Sequence, residues 1–135
     1  MYLLDTNVVS ELRRPRPHGG VVAWIESVPD NQVKLAAVSI GEIQIGIERT
    51  RRNDPEKARN FEVWLDSIST AYQIIHMTDR EFRQWAKLVY RAPEHLFVDA
   101  MIAATALVNG LTVATRNTDD FASFGVPVIN PFEHR

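Results

Sequence analysis

Short apolar runs that recur between stretches of helical spacing constrain this chain more than any other feature. Residues 2–5, VKLAAV (33–38), QIIHM (73–77), LTVAT (111–115) and VPVIN (126–130) are strand-forming runs bounded by polar or turn residues. A continuous apolar run has no solvent face, so such strands need cover on both sides. The intervening segments supply it. Thr6 is placed to cap a helix reaching about Arg14, and VVAWIESV (21–28) follows the breaker cluster RPRPHGG. Ser39 opens a helix to about Arg52, where NDP stops it, and Pro55 begins another over PEKARNFEVWLDSIST (55–70). Thr78 caps a helix from Asp79 to about Tyr90, with Glu81 completing a capping box, and the apolar helix over 97–109 ends at Gly110. Strands alternating with helices predict right-handed crossovers. The expectation is an α/β chain with a short, mostly parallel β-sheet sandwiched between α-helices, in one domain over residues 1–135.

That architecture gathers functional groups beyond the carboxyl ends of the strands, and acidic residues fall there. Asp5 follows the first strand, Glu42 lies one turn into the helix after VKLAAV, and Asp99 sits in the first turn of 97–109. Asp119 and Asp120 lie in TRNTDD (115–120), immediately after LTVAT. Each has an ordinary explanation when taken alone. Ser39 and Glu42 make the S-x-x-E pattern of a capping box, Asp99 complements a helix dipole, and Asp119 and Asp120 suit a loop or a cap. Asp5 is the hardest to explain in this way, since a buried carboxylate costs several kcal/mol unless it is paired or binds a metal. Its ordinary alternative is a cap bonded to the amides of Thr6 and Asn7. Together, converging carboxylates repel one another, and no Lys or Arg adjoins Asp5, Glu42 or Asp99 in sequence. A hard, oxygen-liganding Mg²⁺ or Mn²⁺ is the natural counter-charge, and it also suits a phosphate substrate. The helix starts near residues 6 and 39 add positive potential. The set points to metal-dependent phosphodiester hydrolysis.

Composition removes competing chemistries. The chain has no cysteine, which excludes disulfides, thiolate zinc sites and cysteine nucleophiles. No run approaches the ~18 apolar residues of a membrane span, and the signal-peptide pattern is missing, so a cytoplasmic protein without membrane partners is expected. A net charge of −2 gives no overall basic excess. Cations are nevertheless concentrated at Arg13, Arg14 and Arg16 and at Arg49, Arg51, Arg52, Lys57 and Arg59. They either complement helix ends or form a phosphate-tracking rim. The four histidines, His18, His76, His95 and His134, share no metal or triad spacing and are assigned no catalytic role. Trp24, Trp64 and Trp85 lie in amphipathic helices and read as core or interface residues.

LLDTNVVSE, SIGEIQIGIE, VDAMIAATA and TVATRNTDDF, in this order and over essentially the whole chain, resemble the PIN-domain family. Within it they are most similar to the VapC- or FitB-like toxins of type II toxin–antitoxin pairs. The resemblance implies an Mg²⁺- or Mn²⁺-dependent endoribonuclease acting on tRNA or rRNA, a homodimer, and an antitoxin whose helix occupies an apolar groove among helices 21–28, 39–52 and 55–70. It implies Asp5, Glu42 and Asp99 as metal-site acids. Asp120 fills the acid position before Phe121, while Asn117 stands where some relatives carry an acid, so Asn117, Asp119 and Asp120 remain alternatives for the fourth place. It also implies that Thr6 and Asn7 support Asp5, that Ser39 is a helix-start hydroxyl near the pocket, and that Thr115 or Arg116 touches the phosphate.

The expected mechanism holds one or two ions on Asp5, Asp99 and a residue of 117–120, with Glu42 bound directly or through water. Activated water attacks phosphorus and leaves a 3′-hydroxyl and a 5′-phosphate. RNA preference then comes from shape and 2′-contacts. Two other functions begin from similar features. A dehalogenase-type phosphatase needs a second acid two positions after the first, where this chain has Asn7. A catalytically weak RNA- or protein-binding module, regulating through its antitoxin, would keep the fold with a degraded site.

Overall fold

Leu3 and Leu4 are adjacent in sequence yet belong to opposite cores, because successive side chains of a strand point to opposite faces. The computed structural model describes residues 1–135, and these two leucines lie in its central strand, β1 (Tyr2–Leu4). Four further strands, β2 (Val33–Ala36), β3 (Gln73–Ile75), β4 (Thr112–Ala114) and β5 (Val128–Ile129), complete one sheet in the order β3-β2-β1-β4-β5. Every pair is parallel, with Tyr2 opposite both Val33 and Thr112. The chain winds outward from β1 to β2 and β3, then returns to lay β4 on the other side of β1. Winding therefore reverses between β1 and β4, where a crevice opens at the carboxyl edge.

Helices α1 (Thr6–Leu12), α2 (Gly19–Ser27), α3 (Ala37–Arg51) and α4 (Pro55–Ala71) cover one face. Val8, Val9, Trp24, Ile43, Ile47 and Leu65 pack there on Leu4, Val33, Leu35 and Ala114. Helices α5 (Asp79–Val89), α6 (Phe97–Asn109) and α7 (Thr118–Ala122) cover the other, where Ile102, Ala103, Ala106 and Phe121 meet Leu3, Ala36 and Val113. The expected α/β sandwich is thus present. Residues 102–106 of α6 are all buried, so its apolar surface is continuous around the helix, and Gly110 ends it in the left-handed region at φ 66°.

Local boundaries differ from expectation for identifiable reasons. Asp5 caps α1, not Thr6, and α1 stops at Leu12 rather than Arg14. Arg14 precedes Pro15, which disfavours helical backbone, and Glu11 draws the following turn back by accepting the His18 N–H at 2.9 Å. His18 in turn caps α2 through Nδ1. Strand β2 ends at Ala36, so Ser39 lies inside α3 and does not cap it. Strands β3 and β5 are shorter than QIIHM and VPVIN. The Thr78–Glu81 capping box forms as expected. No helix is long and apolar enough to cross a membrane.

Candidate active site

The crevice between β1 and β4 is closed by one long-range bond. Asp5, 3% exposed, accepts the Thr115 hydroxyl on Oδ2 at 2.8 Å and the Thr6 N–H on Oδ1 at 2.7 Å. The two residues directly continue neighbouring parallel strands, so pairing β1 with β4 brings together positions far apart in sequence. Thr115 Oγ1 also accepts the Asn117 N–H at 2.9 Å, and Asn7 Oδ1 accepts the Arg116 N–H at 3.3 Å. The turn into α7 is thereby built on the start of α1. Burial raises the Asp5 pKa, the bonds from Thr115 and Thr6 oppose it, and the Glu42 charge raises it again.

Glu42 and Ser39 stand three residues apart on α3, hence on one face. Thr6 Oγ1 donates to Glu42 Oε1 at 2.6 Å and lies 3.0 Å from Ser39 Oγ, which is fully buried. The S-x-x-E pattern is therefore not a capping box: both side chains face Thr6 of another helix. Asp99, half-buried in the first turn of α6, has its pKa raised to about 6. Burial is the main cause, followed by the charges of Asp5, Glu42 and Asp120, with His95 opposing. These carboxylates thus face a common space. Asp120, in the first turn of α7, is the acid of the TRNTDD segment whose charge bears on Asp99; Asp119 and Asn117 contribute no charge there. Both lie with Arg116, Thr118 and Asp120 around a wholly polar cavity of about 300 Å³.

No three Asp, Glu or His groups stand close enough, as placed, to form a closed metal-ligand set. The donor chemistry nevertheless fits a hard divalent cation. Every donor is a carboxylate oxygen, none of them has an ion-pair partner, and Asp99 resists ionisation through burial first and its acidic neighbours second.

The expected cationic rim is only partly free. Arg14 is paired with Glu11 at 3.3 Å, and Arg51 with Glu48 at 3.0 Å and Glu62 at 2.9 Å. Arg13 lies over the Phe61 ring at 4.0 Å. Arg16, Arg49 and Arg52 make no ion pair. A cavity of about 140 Å³ runs from Thr6 and Glu42 past Ile43, Gly46 and Ile47 to Phe61. Phe132 went unnoticed in the sequence. Its ring lies 3.7 Å from the Arg116 guanidinium carbon, and no spacing rule connects residues so far apart.

The PIN-domain family model matches residues 2–126. Toxin FitB of Neisseria gonorrhoeae is 36% identical, over 98% of this chain and 99% of its own length. VapC ribonuclease Y4jK of Sinorhizobium fredii is 33% identical, over 98% and 99%. The fold superimposes on a chain of FitAcB from Neisseria gonorrhoeae with a TM-score of 0.88 and 34% identity, covering 98% of this chain and 99% of that one. With the acids at the β1–β4 crevice and a match along nearly its whole length, the chain belongs to the PIN-domain family, together with FitB and the VapC ribonucleases.

Proposed function

We propose that this chain is a divalent-metal-dependent endoribonuclease, one nuclease domain over residues 1–135, acting in the cytoplasm as the toxin of a toxin–antitoxin pair. The observation that carries the reading is the convergence of Asp5, Glu42, Asp99 and Asp120 on one crevice, with no Lys or Arg paired to any of them. The names of its relatives, a toxin and a ribonuclease, agree with it.

Asp5, Asp99 and Asp120 would hold one or two Mg²⁺ or Mn²⁺ ions, with Glu42 bound directly or through water. Such an ion supplies a more acidic water and a counter-charge for phosphate oxygens. The chain does the rest. Thr6 and Thr115 orient Asp5, Thr6 also fixes Glu42, and Asp99 is poised to exchange a proton near pH 6. Attack by water, with departure of the 3′ oxygen, leaves a 3′-hydroxyl and a 5′-phosphate on a structured RNA such as tRNA or rRNA. The cavity from Glu42 to Phe61 suits an antitoxin helix. Exposed Phe82 and Tyr90 suit a second copy of the chain.

One observation favours the weakly catalytic binding module: both oxygens of Asp5 already accept hydrogen bonds, and the acids stand apart. Sequencing RNA 5′ ends after brief expression in a bacterium separates the two. The nuclease reading expects new 5′-phosphate ends at a few sites, lost in Asp5→Asn. Identical end profiles for the two proteins would overturn it.

A further inference from the structure

Arg116 is exposed, adjoins the Thr115–Asp5 bond and has no carboxylate within ion-pair distance. Its side chain is not left to solvent. The guanidinium lies over Phe132 at 3.7 Å, and its own backbone N–H is held by Asn7. Phe132 is itself fixed from three directions. Asn130 Oδ1 accepts its N–H at 3.0 Å, the His18 ring meets it edge-on at 5.3 Å, and α2 presses on the turn that carries it. Gly20 makes that approach possible: a Cβ there would lie 3.0 Å from the carbonyl oxygens of Pro131, Phe132 and His134. The turn over Pro131–Glu133 is thus clamped against the start of α2. A long cation tethered on a rigid ring loses less conformational freedom when it meets an anion.

We propose that Phe132 is a positioning residue for substrate binding: it holds the Arg116 guanidinium at the lip of the acid crevice, ready to receive a phosphate of the RNA backbone. The inference rests on the ribonuclease reading for its ligand, but not on catalysis for its test. Arg116 shares the polar cavity of the TRNTDD segment with Asp119 and Asp120, and its charge also bears on Glu11. Stacking on Phe132 fixes the guanidinium among these acids without an ion pair to any of them.

The test is binding of bulk bacterial tRNA by the full chain in EDTA, where no cleavage occurs, across a salt series. Arg116→Ala is expected to weaken binding about tenfold and to reduce the slope of log affinity against log salt by about one. Phe132→Leu is expected to weaken it about threefold, with Phe132→Trp restoring the wild-type value. In the Arg116→Ala background, Phe132→Leu should have no further effect. The Arg116 Nε–H resonance, displaced upfield by the ring in the wild type, should relax in Phe132→Leu while the melting profile shows a folded protein. Equal losses from Phe132→Leu with and without Arg116, or unchanged binding when the ring is removed, would overturn the proposal. Wild-type tRNA binding with no cleavage of total bacterial RNA in Mn²⁺ would sink the nuclease reading alone.

Discussion

Asp99 is half-buried and Glu11 buried, and the two carboxylates answer to pH in opposite senses. Asp99 is raised from 3.8 to about 6 in the folded chain, by burial first and then by its acidic neighbours. The native state therefore holds its proton more tightly than the unfolded state does. Its stabilising contribution is complete below pH 3.8 and is lost as pH rises to about 6. Asp99→Asn should raise the stability of the metal-free protein at pH 7.5 by about 1 kcal/mol, since solvent screening at a half-buried site removes much of a two-unit shift. The gain should vanish at pH 4. Millimolar Mn²⁺ should stabilise the wild type at pH 7.5 and the variant much less. Thermal melts at both pH values, with and without Mn²⁺, decide; a variant no more stable at pH 7.5 would show that Asp99 is not under strain from its neighbours. The sequence made the four acids legible because Asp5 and Asp120 follow strand ends and Glu42 and Asp99 lie early in helices. It could not select among Asn117, Asp119 and Asp120, since polar residues within one short segment differ only in direction.

At the scale of elements, the segment RPRPHGG reads as a breaker, and its ordering by Glu11 is invisible without coordinates. Glu11 is 6% exposed. Burial pushes its pKa up, but the His18 N–H and Arg14 outweigh it, so the net shift is below 4.5. Its contribution is present above the unfolded value and is lost as pH falls through the folded one. Glu11→Gln should cost about 1 kcal/mol at pH 7 and make the melting temperature less sensitive to pH as it falls below 4.5. An acid limb identical to the wild type would refute this. Other elements show why short-range rules succeed or mislead. Thr78 and Glu81 are partners within one turn, so the pattern is sufficient. Ser39 and Glu42 have the same pattern, yet their partner Thr6 comes from another helix. Helix α7 has 5 residues, too few to show a period.

For the whole molecule, the alternation of strands and helices was enough to anticipate a parallel sheet covered on both faces. The order of strands was not, because three-residue strands carry no information about which neighbour they choose. The cavity proposed for a partner meets the acid crevice at Thr6 and Glu42 and extends away from it along α3. Gly46 lines the cavity beside Glu42, and a Cβ there meets nothing within 4 Å. Gly46→Leu should therefore stabilise α3 by about 0.5–1 kcal/mol while filling the space offered to a partner helix. Growth arrest should persist with this variant even when the antitoxin is co-expressed. Relief as complete as in the wild type would place the partner elsewhere. The lining of that cavity spans only Thr6 to Phe61, whereas the acid crevice also needs Asp99, Thr115 and Asp120. During synthesis the surface for restraint thus leaves the ribosome well before the cutting edge exists. A partner binding the emerging chain could disarm it before it had ever been armed.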